Sequence, residues 1–393
     1  MSDKDPVVIV GMARTPMGGL LGDLAGFSAN ELGALAIKAA VAEAKLKPGE
    51  ANEVIMGNCL PAGQGQAPAR QAGIKAGEDK GLEATTINKM CGSGMQAAVM
   101  GRNAILAGDA EIVIVGGMES MTNAPHLLNV RKGHKYGTMG AEDHMALDGL
   151  TDAYAKGPMG VFADKIAGEY QFTREQQDAY ALETLTRAQN ATKNGKFKRE
   201  ITPITVKGKK GDIVIDTDEL PRTAMPEKIP TLKPAFSKDG TVTAANASAI
   251  SDGAAALVLM KESEAKKRGL KPLAKIVASS SHAHEPEYFT TAPVPAMQKA
   301  LKKAGWKTED VDLWEINEAF AVVPMIAMKE LGISHDKVNV NGGACAMGHP
   351  IGASGARVLI TLIAAMEDRG VKKGVASLCI GGGEGIAMAV ERV

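Results

Sequence analysis

The sequence predicts an α/β protein made of two related halves, with a segment of different character inserted between them. Three observations predict it. Short apolar runs alternate with helical periodicity, the alternation recurs at an offset of roughly 260 residues, and the stretch between the copies is richer in charge, Pro and Met. At 393 residues the chain exceeds one ordinary core, which fits about two or three domains.

Residues 7–10 form a short apolar run closed by Gly11 and read as a buried strand. Residues 28–44 have helical spacing, and Ser28 with Glu31 makes a capping-box signature. Residues 53–56 read as a strand. The β-branched stretch 85–88 leads into Cys91-Gly92-Ser93-Gly94, and 95–107 reads as a helix. Residues 112–115 read as a further strand, ended by Gly116-Gly117. Strands alternating with helices predict a parallel sheet with helices on its faces.

The C-terminal third repeats the plan: a helix at 294–304, a strand at 311–315 ending near Asn317, a strand at 338–340, a helix at 355–366, and a strand at 375–380 ended by Gly381-Gly382-Gly383. Ala44 matches Ala304, Asn58 matches Asn317, Ser93-Gly94 matches Ser354-Gly355, and Gly116 matches Gly381. From Met121 to about Ala245 strand-like runs are scarcer. A helix is expected over 173–190, with Thr173 and Gln176 as its capping box. The rest reads as long excursions, which in compact proteins carry binding or lid functions.

Basic and acidic residues balance, for a formal net charge of zero, so no electrostatic footprint points to nucleic acid or an anionic membrane. Local basic clusters at 131–135 and 207–210 read as solvated surface, with phosphate contact as the alternative. No leader pattern opens the chain, no apolar run is long enough for a bilayer, and Glu391-Arg392-Val393 is no peroxisomal address. A cytoplasmic protein is expected. Cys59, Cys91, Cys345 and Cys379 form no C-x-x-C pair, so free thiols are expected and a zinc ribbon is not.

Four fragments carry chemistry. Cys91 lies between a strand and a helix in a Gly-rich turn, where helix N–H groups and the dipole would stabilise a thiolate and hold an oxyanion. His349, in Gly348-His349-Pro350-Ile351-Gly352, is fixed in a turn that the duplication places opposite the Cys91 turn; an imidazole near a cysteine can activate it. Cys379 closes the last strand before a glycine run that offers bare N–H groups. Asn317, in Asn317-Glu318-Ala319-Phe320, ends a strand, where open α/β sheets build sites. Each alone has an ordinary structural explanation: a buried thiol, a satisfied histidine, a hairpin turn, a strand-ending Asn.

Together, in this order, these fragments resemble the thiolase family, as do Gly116-Gly117-Met118-Glu119-Ser120-Met121 and Asn246-Ala247-Ser248. Within the family the nearest group is that of the bacterial tetrameric acetyl-CoA acetyltransferases, the acetoacetyl-CoA or β-ketothiolases. The resemblance runs from Val7 to Val390. It implies duplicated mixed-sheet α/β halves in a five-layer αβαβα arrangement with an inserted loop domain. Residues 1–120 would form the N-terminal half, completed by about 246–270. Residues 121–245 would form a loop domain that covers the site and binds CoA, and 271–393 the C-terminal half.

The resemblance also implies a ping-pong acyltransferase. Cys91 would carry the acyl group, His349 would be its base, and Cys379 would move the α-proton of a second acyl-CoA. One oxyanion hole would use His349 and a water held by Asn317, the other the N–H groups of Cys91 and Gly381. Leu150, Met159, Arg222, Phe236, Ala247 and Ser248 would bind CoA and pantetheine, and Phe289 and Phe320 would line the acyl pocket. No metal or prosthetic group is implied, CoA being a substrate, and a homotetramer is. Pro158, Cys345, Glu384 and the stretch His282-Ala283-His284-Glu285 depart from the family pattern. The rivals are a broader-chain 3-ketoacyl-CoA thiolase, a ketosynthase-type condensing enzyme, which would not use a second Cys as base, and a non-enzymatic acyl-CoA binding protein.

Overall fold

The computed structural model describes residues 5–208 and 211–393. Residues 1–4, and Lys209 and Lys210 of the basic cluster 207–210, lie outside them. The N-terminal part of the main sheet contains β1 (Val7–Arg14), β2 (Glu53–Gly57), β3 (Glu83–Ile87), β4 (Ile112–Ser120) and β5 (Ser251–Lys261), in the order β1-β5-β4-β2-β3. The C-terminal part contains β6 (Ala274–Ala283), β7 (Leu313–Ile316), β8 (Lys373–Ile380) and β9 (Glu384–Arg392), in the order β6-β9-β8-β7.

The two parts are the same arrangement twice. β1 and β6 pair antiparallel with β5 and β9, which pair antiparallel with β4 and β8. β4 and β8 then pair parallel with β2 and β7. Both first strands carry a register shift, between Ile9 and Gly11 in β1 and between Ile276 and Ala278 in β6. The parts join edge to edge where Val8 and Ile9 meet Lys275 and Ala274.

An all-parallel sheet is therefore the wrong expectation, and the turn chemistry shows why. β8 reaches β9 through Gly381-Gly382-Gly383, with φ of +95° and +87° at the last two. Such a connection is far too short for a crossover helix, so β9 must run antiparallel. The strand expected at 338–340 shrinks to one bridge between Trp314 and Val338. Asn339 takes a left-handed φ of +46°. Its side-chain amide then replaces the ladder, accepting from Ile316 N and donating to Ile316 O, both at 2.8 Å.

Helices cover and separate the sheet parts. α1 (Ala29–Glu43) and α2 (Pro68–Ala76) flank the N-terminal part. The N-terminus of α1 is closed by Ser28 N donating to Glu31 Oε2 at 2.9 Å. α3 (Ser93–Ala107) lies inside the molecule. The inserted segment supplies α4 (Met159–Glu169) and α5 (Arg174–Lys193), so it is more regular than the excursions expected; Gln176 N donates to Thr173 Oγ1 at 3.2 Å. α6 (Pro293–Ala304) and α7 (Val322–Leu331) flank the C-terminal part, and α8 (Ile351–Arg369) joins α3 inside.

α8 is apolar nearly all round and buried from Ile351 to Met366, as a helix with no solvent face must be. One apolar cluster joins Met95, Ala98 and Ile105 of α3 to Leu359 and Ile363 of α8 and to strands of both sheet parts. A second packs α1 on the outer face of β1, β4 and β5, and a third packs α6 and α7 on β8 and β9. These are five layers, αβαβα. The inserted segment is tied down at Arg14, which is fully buried and donates to Glu200 at 2.8 Å and to Asp218 at 2.7 Å.

Candidate active site

The central pair α3 and α8 brings two turns together. A Cβ added at Gly94 would come within 2.6 Å of Ala356 N, and one at Gly355 would strike Met95 N. The contacts are reciprocal under the duplication, since Gly94 matches Gly355 and Met95 matches Ala356. Each helix therefore starts at the middle of the molecule, and the residues just before each start face the same region.

Cys91 sits one residue before the α3 N-cap. Met90 holds a left-handed φ of +46°, an uncommon conformation for an unbranched side chain that turns the next residue sharply. Ser93 locks this turn: its hydroxyl donates to Met90 O at 2.6 Å and accepts from Lys89 N at 2.8 Å. The backbone N–H groups of Gly381 and of Cys91 itself lie beside the Cys91 sulfur. These favour a thiolate, as the turn predicts, but burial outweighs them and pushes the thiol up to about 11. The donors are those the turn predicts, and burial acts against them.

His349 follows Gly348, whose φ is +99°. Its N–H donates to Ala249 O at 3.0 Å. Ser354 Oγ donates to Pro350 O at 3.0 Å, so its lone pair faces His349 Nδ1 at 2.5 Å. That network puts the imidazole proton on Nδ1 and leaves Nε2 as the bare nitrogen. Asn317 Nδ2 approaches Nε2 at 3.4 Å. Burial first, and then the charge of Arg357, lower His349 to about 3, so the ring is neutral.

Cys379 is fully buried in β8 opposite Gly385 of β9. Burial, and then the proximity of Cys91, push its thiol well up. Lys89, ahead of Cys91, pairs with Glu384, just after the glycine turn. That gives one unusual position a concrete job: it ties the two cysteine-bearing turns together.

The expected binding residues divide into groups. The Phe320 ring meets Phe289 and Phe236 edge-on, each with centroids 6.1 Å apart. The Met159 methyl lies 3.9 Å from where a Cβ of Gly381 would stand. Leu150 packs in the small apolar cluster that also holds Cys91, Cys59 and Ile351. Ala247 bridges to Phe320, and Ser248 N donates to Ala319 O at 2.9 Å. Arg222 stands apart, on the short helix Glu219–Thr223, paired with Asp23 near the surface. The same helix borders a cleft of about 350 Å³ lined by Leu220, Met225, Leu232, Ala245, Ala249 and Cys345. Pro158 caps α4 just ahead of Met159.

Three further residues belong to the site, although sequence alone assigns none of them a role: Glu119 lies in a family fragment, Ser354 only in the duplication, and Arg357 in neither. Ser354 orients His349; its match to Ser93 is visible in the duplication. Glu119 receives Cys59 N at 2.9 Å, Gly352 N at 2.8 Å and Asn58 Nδ2 at 2.6 Å, so one carboxyl joins both halves beside the two turns. Arg357 donates to Asn317 Oδ1 at 3.2 Å. Among the described residues no His, Cys, Asp and Glu group has the arrangement of a metal site, and no helix is long and apolar enough to cross a membrane.

Comparison with known proteins matches this architecture over its whole length. Residues 7–263 match the thiolase N-terminal domain and residues 270–392 the thiolase C-terminal domain. The chain is 50% identical over 388 residues to an acetyl-CoA acetyltransferase of Rhizobium meliloti, covering 98% of this chain and 99% of that one. It is 48% identical over 392 residues to the cytosolic acetyl-CoA acetyltransferase of Mus musculus, covering 99% of both. The solved acetyl-CoA acetyltransferase of Bacillus anthracis superposes with a TM-score of 0.96 at 41% identity, covering 99% of both chains. Acat5 thiolase from Ascaris suum, solved in complex with coenzyme A, superposes with a TM-score of 0.94 at 42% identity, covering 99% of this chain and all of that one. The chain belongs to the thiolase family.

Proposed function

We propose that this protein is an acetyl-CoA C-acetyltransferase, which condenses two acetyl-CoA to acetoacetyl-CoA and CoA and cleaves short-chain 3-ketoacyl-CoA in reverse. The observation that carries the reading is that the turns bearing Cys91 and His349 meet where α3 crosses α8, and that Lys89 and Glu384 tie the Cys91 turn to the glycine turn after Cys379. The backbone N–H groups of Gly381 and Cys91, beside the Cys91 sulfur, would be the donors for the carbonyl oxygen of an acyl group carried there.

In the first half-reaction the Cys91 sulfur attacks the thioester carbon and its proton passes to His349 Nε2. The C–S bond to CoA breaks, and CoA leaves with that proton. A neutral thiol and a neutral imidazole suit this exchange, since neither charge has to be stored in the resting site. In the second half-reaction Cys379 first gives its thiol proton to solvent, to be regained when the cycle ends, and as thiolate takes an α-proton from the second acetyl-CoA. The carbanion attacks the acyl carbon, the C–S bond to Cys91 breaks, and the Cys91 thiolate recovers the proton from Cys379. Acylation turns Cys91 into a neutral thioester, which removes one of the two causes that hold the Cys379 proton on. The enolate oxygen of the second substrate falls to the other hole, beside His349, where a water held by the Asn317 NH2 group donates to it; His349 donates as well only when its Nε2 carries a proton.

Phe236, Phe289 and Phe320 would close the acyl end and favour short chains. Leu150, Met159, Ala247, Ser248 and the cleft beside Arg222 would hold pantetheine and nucleotide. The scheme needs no metal or prosthetic group. A cytoplasmic homotetramer is part of the proposal, by family resemblance.

The test is incubation with acetoacetyl-CoA and CoA, following loss of the ketoacyl thioester, across a series of chain lengths. Rapid thiolysis of the four-carbon substrate is expected, declining with length. Cys379→Ala should still acylate Cys91 from acetyl-CoA while condensation stops. A wild type that binds CoA without turnover overturns the function, and unimpaired condensation in Cys379→Ala overturns the assignment of the base.

A further inference from the structure

α8 carries a line of polar groups that the scheme above does not use. Within its buried stretch the non-apolar side chains are Ser354, Arg357 and Thr361, spaced so that they share one face. Ser354 serves His349, and Thr361 Oγ1 donates to Glu200 at 3.3 Å. Arg357, between them, is 1% exposed. Its Nη1 donates to Glu315 at 2.8 Å and its Nη2 to Asn317 Oδ1 at 3.2 Å. β7 holds Glu315 one residue short of the strand end, and Asn317 lies just beyond it, so a single guanidinium spans both.

A side-chain amide is nearly symmetric in shape but opposite in polarity at its two ends. With its oxygen committed to Arg357, Asn317 must turn its NH2 group towards His349 Nε2, which it approaches at 3.4 Å. The flipped amide would set its oxygen against the bare imidazole nitrogen, acceptor facing acceptor. A planar fork suits this geometry, because an ammonium can pair with Glu315 but cannot reach Asn317 in the same plane.

We propose that Arg357 is a positioning residue for the condensation step, fixing the Asn317 amide so that its NH2 group faces His349 and holds the water that donates to the oxygen of the second acyl-CoA. The inference rests on the function proposed above. It separates the half-reactions. The acyl group on Cys91 is held by backbone N–H groups that Arg357 does not touch, and Arg357 bears on acylation only through its charge beside His349, which Arg357→Lys keeps, whereas the enolate of the second substrate depends on Asn317.

The test uses the full-length protein with Arg357→Lys and Arg357→Met. CoA released in a single turnover from acetyl-CoA reads acylation of Cys91, and acetoacetyl-CoA formed reads condensation. Arg357→Lys should keep the CoA burst within about threefold while condensation kcat falls about thirtyfold or more, approaching the loss seen when an oxyanion donor is removed, and Arg357→Met should lose condensation at least as far. KM for acetyl-CoA should change less than kcat. Where Arg357→Met does not fold, Arg357→Lys, which keeps the charge beside Glu315, decides. Equal losses in both half-reactions, or undiminished condensation, in variants of a competent wild type overturn this inference alone. A wild type without burst or condensation overturns the proposed function, and this inference with it.

Discussion

At Cys91 the helix N-terminus and the two N–H donors pull towards thiolate, and the enclosure pulls harder the other way. The consequence is measurable. With the thiol near 11, inactivation by iodoacetamide should rise about tenfold per pH unit from neutral upwards, because the thiolate is the nucleophile. A plateau near neutral pH would mean that the resting site holds an ion pair instead. The same residue shows what sequence reading can reach. A cysteine between strand and helix in a glycine turn identifies the donors, because turn geometry is local. It does not give the balance against burial, which depends on Gly381, Glu119 and the hairpin above. Glu119 and Arg357 escape a reading of the sequence for the same reason. Glu119 meets Gly352 across 233 residues, and a buried charge declares no partner until the chain is folded.

The duplication is the most legible feature at the scale of elements, because apolar runs and glycine stops recur in the same order. What it conceals is strand direction: periodicity marks strands but not their sense, and the short β8–β9 turn decides it. It also conceals Asn339, whose side chain stands in for a strand pair. The recurrence does locate the tightest packing, where α3 crosses α8. Gly355→Ala would force a Cβ against the backbone of Met95. Only movement of a helix relieves that, at about 1–3 kcal/mol, despite the better helix propensity of Ala. Gly168, near the end of α4, has open space around the same position, so Gly168→Ala should stabilise by about 0.5–1 kcal/mol. Urea unfolding of the two variants should therefore move in opposite directions. Equal shifts would show that the crossing is looser than described.

Across the whole molecule, the sheet parts close on a core that contains charges as well as apolar side chains, and this gives stability a definite pH dependence. Glu119 is raised to about 7 and Glu315 to about 8, in both cases chiefly by burial. An unfolded carboxyl loses its proton near its ordinary value, about 4.3. Between that value and the folded one, the native state holds protons that the unfolded state has lost, so stability falls as pH rises. His349 has the opposite sign. Its folded value of about 3 lies below the ordinary 6.5, so only the unfolded ring is protonated between them, and stability there rises with pH. Below about pH 6.5 the two effects oppose each other, and above it only the carboxyls remain. The unfolding free energy should therefore drop by on the order of 2 kcal/mol between about pH 6.5 and pH 8, a window that ends before free thiols titrate. Most of that drop belongs to Glu315, whose folded value lies at the top of the window. Glu315→Gln has no titrating proton yet still offers Arg357 an amide oxygen, so it should flatten the drop without abolishing folding. Urea titrations across this range test both points. A wild-type stability that is flat or rising, or a drop that persists in Glu315→Gln, would show that Glu315 does not keep its proton beside Arg357.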